Sequence, residues 1–186
     1  AYAGGVAPAM EELWPVLCGA DPVGPEAVMA KANGWLIGHE YAKSALDIAL
    51  WDITGKVANM PLYTLLGGRR QADMPLYHSI TCVAPEEMVK IARDAQAKGM
   101  TQFQVKLGAD DNWEADVARL RMVRGAVGSG PLVYGDWNCG ATSLDAIRVG
   151  RAVQDLDIML EQPCATMEDC KRVKDATHLP MKMDEN

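Results

Sequence analysis

The chain has 186 residues, 49% hydrophobic and 23% charged, a balance that fits a globular protein with a buried core and excludes a disorder-dominated one. A formal charge of -7 and the lack of an extended basic run argue against nucleic-acid binding. No apolar run approaches the roughly 18 residues of a membrane span, and the opening AYAGGVAPAMEELWP lacks the basic and apolar regions of a signal peptide, so the chain reads as soluble and cytoplasmic.

Residues 1–73 read as helical, with loops rich in Pro and Gly. In EYAKSALDIALWDITGK, the apolar residues Ala42, Ala45, Leu46, Ala49, Leu50 and Ile53 recur at three- and four-residue steps, which predicts a helix with one buried face. Gly55 weakens that helix near its end, and Gly67 with Gly68 closes the segment. From Met74 the texture changes. MPLYHSITC is strand-like, Pro85 starts a helix, and Met88, Ile91, Ala92 and Ala95 share one face of it before Gly99 ends it.

The same unit then repeats. TQFQVKLG is a strand and NWEADVARLRMVRGAVG a helix. PLVYGDWN follows, and Thr142 with Asp145 makes a capping box for the next helix. After IMLEQP, Thr166 with Asp169 caps another helix, and LPMKMDEN is the next strand. Alternation of this kind predicts parallel βαβ units. An open doubly wound sheet alternates in the same way, but no GxGxxG or GxxxxGK[ST] loop is present. Functional-looking residues end several successive strands, and a barrel directs such residues to one mouth, so the barrel is favoured.

Three of those strand-end residues are acids. Asp136, Glu161 and Asp184 lie 25 and 23 residues apart, one βα unit each, and Lys106 stands 30 residues before the first. Side chains alternate along a strand, so Gln104 shares a face with Lys106, Asp136 with Asn138, and Lys182 with Asp184. Three crowded carboxylates repel one another unless some are protonated or a divalent cation compensates them. Oxygen-only ligands select Mg²⁺ or Mn²⁺ over zinc. The competing reading, a solvated loop acid or helix cap, suits any one of them better than three in successive units.

Lys106 stands between Val105 and Leu107 in an apolar strand, where a merely solvated lysine is less natural. An amine near a cation and partly desolvated gives up its proton more easily and serves as a general base. Ser79, Tyr77 and Trp137 flank strand ends. Ser79 reads as pocket-lining, Trp137 is balanced between lining and packing, and Tyr77 reads as barrel core. Lys182 fits a deep structural partner of a carboxylate better than a second base.

The cysteines Cys18, Cys82, Cys139, Cys164 and Cys170 are odd in number and form no CxxC pair, so they read as reduced thiols. Cys139 and Cys164 adjoin the acidic strand ends, where packing or lining is favoured over nucleophilic catalysis because no histidine stands beside them in sequence. His39, His78 and His178 have no metal-ligand spacing.

Together, ALDIALWDITGKVANMPLYTLLGG, the lysine of QFQVKLG and the three strand-end acids resemble the enolase superfamily, and within it the muconate lactonizing enzyme and mandelate racemase group, from about residue 40 onward. The resemblance implies part of a (β/α)7β TIM-like barrel preceded by the end of an α+β capping domain. Residues 1–73 would be the last part of the cap and residues 74–186 the first barrel strands, so the chain resembles the middle of a longer, homo-oligomeric enzyme. It implies Mg²⁺, with Mn²⁺ as the alternative, on Asp136, Glu161 and Asp184. Lys106 would be the catalytic base, and Gln104, Trp137 and Ser79 would meet a small-molecule carboxylate substrate whose α-proton is removed to give an enediolate.

Gln104 departs from the family pattern, because a lysine is expected there; the amide still donates a hydrogen bond but removes a positive neighbour from Lys106. YHSITCVAPEEM, QFQVKLG and DWNCG look most like the branch acting on proline analogues such as cis-3-hydroxy-L-proline. That implies a dehydratase, with 2-epimerisation as its close competitor. A racemase, epimerase or cycloisomerase of another carboxylate, such as a dipeptide or muconate, is the alternative. A non-catalytic barrel protein is disfavoured because all three acids and the lysine remain. A Ca²⁺ module is disfavoured because no DxDxDG loop is present.

Overall fold

The computed structural model describes residues 3–185, which divide into two compact units, the first through Met74 and the second from Pro75. After a 3-10 turn, the first unit holds α1 (Val6–Leu17), α2 (Pro25–Trp35), α3 (Glu40–Ala58) and the single turn α4 (Leu62–Leu65). Leu13, Val28, Ala32, Leu46 and Leu50 form its buried core.

The predicted helix α3 is present, but its buried stripe is narrower than expected. Ala42, Leu46 and Leu50 are buried at four-residue steps, while Ala45, Ala49 and Ile53 face outward. Gly55 does not weaken its end. The helix runs on to Ala58 and stops at Asn59 in the left-handed region. Gly55 is needed for space: a Cβ there would stand 3.2 Å from a methyl of Leu62.

In the second unit five parallel strands alternate with four helices. They are β1 (His78–Ile80), α5 (Pro85–Ala97), β2 (Gln102–Lys106), α6 (Trp113–Val127), β3 (Leu132–Asp136), α7 (Ser143–Ala152), β4 (Met159–Glu161), α8 (Met167–Thr177) and β5 (Met181–Lys182). The strands lie in sequence order, β1-β2-β3-β4-β5. The order never reverses as it does in a doubly wound sheet. Right-handed crossovers therefore wind to one side, as in successive units of a barrel, and α5 packs on α6, α6 on α7 and α7 on α8.

The helix-side core is assembled by alternation. Ile80, Phe103, Val105, Val133 and Leu160 are each fully buried, packed with Met88, Ala92, Leu120, Val123, Val149, Cys170 and Val173 from the helices. Both expected caps form. Thr142 accepts the Asp145 N–H and Thr166 the Asp169 N–H, each at 3.1 Å, and each threonine hydroxyl donates back to the same aspartate.

Two strands are shorter than the sequence suggests. β1 begins only at His78, so Tyr77 lies outside it, 49% exposed, with its ring edge toward Tyr134 at 5.9 Å between centroids. β5 ends at Lys182, so Asp184 stands two residues past the strand rather than in it. No helix among the described residues is long and apolar enough to cross a membrane.

Candidate active site

The strand register gathers the charged residues into a row. Lys106 is the partner of Asp136, Asp136 of Glu161, and Glu161 of Lys182, so four neighbouring strands present cation, anion, anion and cation abreast on one face. One step lower on the same face stand Ser79, Gln104 and Tyr134.

The two acids are buried, Asp136 at 0% and Glu161 at 1% exposure, whereas the side chains of Lys106 and Lys182 are 29% and 42% exposed. Lys106 Nζ donates to Asp136 Oδ2 at 2.5 Å, and Lys182 Nζ to Glu161 Oε1 at 2.7 Å. Gln104 joins the halves, its Nε2 donating to Asp136 Oδ2 at 2.9 Å and to Glu161 Oε2 at 2.8 Å. Adjacent buried carboxylates repel, and desolvation adds to the cost. Here each has its own ammonium and both share one amide donor. The remaining Asp136 oxygen, Oδ1, accepts the Asn138 N–H at 2.8 Å.

Above the row the loops supply further contacts. Asn138, in the left-handed region at φ +46°, accepts from Lys106 Nζ at 2.8 Å and donates to Glu185 Oε1 at 3.0 Å. Gln162, fully buried at φ +32°, donates to the Cys164 carbonyl at 3.0 Å and accepts the Asp184 N–H at 3.1 Å. The Lys182 ammonium lies 4.8 Å from the Tyr134 ring centroid and 5.3 Å from that of Tyr77. Burial alone would favour its neutral form, but the bond to Glu161 prevails and its pKa is raised. Burial pushes the Tyr134 hydroxyl up, and the Glu161 carboxylate adds to that.

Of the residues singled out from sequence, Lys106, Gln104, Asp136 and Glu161 come into direct contact, and Ser79 stands exposed beside Gln104 in the register. Asp184 does not join them in a three-carboxylate cluster. It is exposed beyond β5, near enough to Lys182 to help raise that lysine's pKa. Among the described residues no three His, Cys, Asp or Glu side chains gather as a metal-binding group. The buried pair instead faces the ammonium and amide donors.

The donor chemistry fits a hard divalent cation. Asp136 and Glu161 are oxygen donors drawn to a single nitrogen, and a third carboxylate follows two residues past the end of the adjacent strand.

Trp137 is not brought to this face. It follows the inward Asp136, so alternation turns it to the helix side, where it is 5% exposed and its indole N–H donates to Asp116 Oδ2 at 2.9 Å. Asp116, Gln162 and Glu185 were not picked out by sequence reasoning. Gln162 and Glu185 directly follow Glu161 and Asp184, and adjacency to candidate acids was the available signal. Asp116 gave none, since it reads as an ordinary helix charge. Cys164 is buried, and desolvation pushes its thiol up to about 12, which suits packing and not nucleophilic attack.

Residues 87–186 match the family model described as enolase C-terminal domain-like, and residues 3–67 match the mandelate racemase/muconate lactonizing enzyme N-terminal domain. The sequence is 42% identical to a cis-3-hydroxy-L-proline dehydratase of Roseibium aggregatum, over 99% of this chain and 50% of the relative. To an N-succinyl-L-Arg/Lys racemase of Bacillus cereus it is 33% identical, over 93% of this chain and 47% of the relative. A mandelate racemase/muconate lactonizing enzyme-type structure from Roseovarius nubinhibens ISM, complexed with magnesium, superposes with a TM-score of 0.87 at 33% identity, covering 100% of this chain and 52% of that one. The chain thus spans about half the length of the curated relatives it matches.

Proposed function

This chain belongs to the mandelate racemase/muconate lactonizing enzyme family of the enolase superfamily, and on that premise we propose that the whole enzyme removes the α-proton of a carboxylate substrate, with Lys106 as base. The substrate class we propose is an amino acid of the hydroxyproline type, and the outcome dehydration. The observation that carries the reading is the partly exposed Lys106 ammonium, hydrogen-bonded to a buried carboxylate that shares an amide donor with a second one.

An α-proton beside a carboxylate is only weakly acidic, so its removal needs a well-directed base and compensation of the charge that develops. Lys106 supplies the first. Asp136 and Asn138 hold its nitrogen from two sides, and its partial exposure leaves it open to substrate. The amine acts as base in its neutral form and keeps the α-proton on Nζ until it returns to substrate or solvent. When bound, Mg²⁺ would be held by Asp136, Glu161 and Asp184 and supply positive charge against the negative charge developing on the substrate carboxylate.

Gln104 fixes the spacing of Asp136 and Glu161 without adding a further cation. Lys182 is kept protonated by Glu161 and so serves as an ion-pair partner, not as a second base. Ser79, exposed on the same face, offers a hydroxyl to a polar group of the substrate.

Proton removal is common to dehydration and epimerisation, and the 42% identity to a dehydratase against 33% to a racemase supports dehydration. The test is to incubate the whole enzyme with cis-3-hydroxy-L-proline and Mg²⁺ and follow the products by NMR. Loss of the 3-hydroxyl with formation of an unsaturated product, abolished by EDTA, is expected. Recovery of the substrate's epimer alone would replace dehydration by epimerisation, and no reaction with any proline analogue would overturn the substrate class.

A further inference from the structure

We infer that Asp116 is a positioning residue that locks, from the helix side, the two strand ends carrying Lys106 and Asp136. The inference rests on the reading of Lys106 as base beside Asp136. Asp116 lies in the first turn of α6 with its side chain only 5% exposed. Both carboxylate oxygens accept the Gly108 N–H at 3.1 Å, Oδ2 also accepts the Trp137 indole N–H at 2.9 Å, and Oδ1 accepts Arg119 Nη1 at 2.9 Å.

Gly108 is two residues beyond Lys106, and Trp137 is the residue after Asp136. One carboxylate therefore ties the backs of the segments whose fronts form the Lys106–Asp136 pair. Arg119 extends the tie, donating to the Val83 carbonyl after β1 at 3.3 Å and pairing with Asp110 in the loop after β2. The hydrogen bonds to Asp110 and Asp116 outweigh burial and keep the guanidinium charged.

The join between the two loops is tight. Gly108 sits at φ +80°, and a Cβ on it would lie 3.1 Å from the Trp137 ring, so the indole edge rests directly against the backbone. Releasing Asp116 frees both loops at once. A shift of either one reaches the Lys106 nitrogen or the Asp136 carboxylate within two residues. Misplacement of a reacting group by about 1 Å costs on the order of 100-fold in rate.

The test compares Asp116→Asn and Trp137→Phe with the wild-type whole enzyme, using cis-3-hydroxy-L-proline with saturating Mg²⁺ and crystal structures of each form. Asp116→Asn keeps the shape but removes the charge, and Trp137→Phe keeps the ring but removes the indole N–H. We expect Asp116→Asn to lower kcat by about 10- to 100-fold with KM within about twofold, because positioning of the base is lost and not substrate binding. Asp116→Glu should recover part of kcat.

In the Asp116→Asn crystal the Lys106 Nζ to Asp136 Oδ2 separation should lengthen from the wild-type value. Where Asp116→Asn does not fold, Trp137→Phe is read by the same two measures with a smaller kcat loss expected. Unchanged spacing together with kcat within twofold overturns the inference. A wild-type enzyme inert toward every proline analogue refutes the proposed substrate class instead, and the crystallographic spacing still decides the role of Asp116.

Discussion

On the open face of the sheet, Asp136 and Glu161 pair with lysines whose side chains are 29% and 42% exposed, while behind it Asp116 and Arg119 pair at 5% and 7% exposure. Both clusters bury carboxylates, but their donors differ in freedom. A lysine is a mobile point charge on a long stem and exchanges partners readily, whereas a guanidinium fork combined with backbone and indole N–H groups fixes an acid in one orientation. The open cluster is therefore free to change partners, and the closed one is held in a single arrangement. Mobile and fixed charge stand back to back across β2 and β3.

Removing the closed cluster's anion should have the largest effect. Asp116→Ala leaves the buried Arg119 with Asp110 as its remaining carboxylate and strips the Gly108 and Trp137 N–H groups of their acceptor, and should destabilise the second unit by about 3–5 kcal/mol in urea unfolding. Lys182→Met should cost clearly less by the same measure, since that lysine is 42% exposed and Glu161 retains the Gln104 donor. An equal loss from the two variants would erase the distinction drawn between the faces.

Packing between the clusters gives the next effect. A Cβ on Gly135 would lie 2.7 Å from a Leu107 methyl and 3.0 Å from one of Leu120. Gly135→Ala should therefore cost about 1–3 kcal/mol, read from the urea midpoint. The helix caps should matter less. Thr142→Ala and Thr166→Ala are each expected to lose about 1 kcal/mol, with turnover by the folded enzyme unchanged.

The smallest effect is the alkaline limb of stability. Burial raises the Cys164 thiol from 9.0 to about 12, and Glu161 raises Lys182 from 10.5. A raised folded-state pKa gives stability that is whole below the unfolded value and lost as pH rises through the folded one. The urea midpoint should thus hold steady to about pH 9 and decline above it, with Cys164 resisting alkylation in the native protein at pH 9.

The architecture was legible in the sequence because its signals are local. Threonine caps, alternating strands and one-sided helices each depend on residues a few positions apart, and α5, α7 and α8 begin where those signals lie. The row of Lys106, Asp136 and Glu161 was legible for the same reason, since a regular βα repeat delivers each strand end to one level. Trp137, which the sequence leaves balanced between lining and packing, packs on the helix side, because period-two alternation turns it away from Asp136. The strand extent at Asp184 was missed, because the pairing partner of β5 fixes where its ladder stops. Asp116 could not be found from sequence, as its partners Gly108 and Trp137 lie 8 and 21 residues away in two different loops.

The proposed role of Lys106 is to take the α-proton. The most direct test follows the α-proton of cis-3-hydroxy-L-proline by ¹H NMR in D₂O with Mg²⁺, comparing the whole wild-type enzyme with Lys106→Ala. Dehydration and any exchange of that proton should fall together by about 10²- to 10⁴-fold in the variant while the protein remains folded. A folded Lys106→Ala enzyme that removes the proton at the wild-type rate would contradict that role.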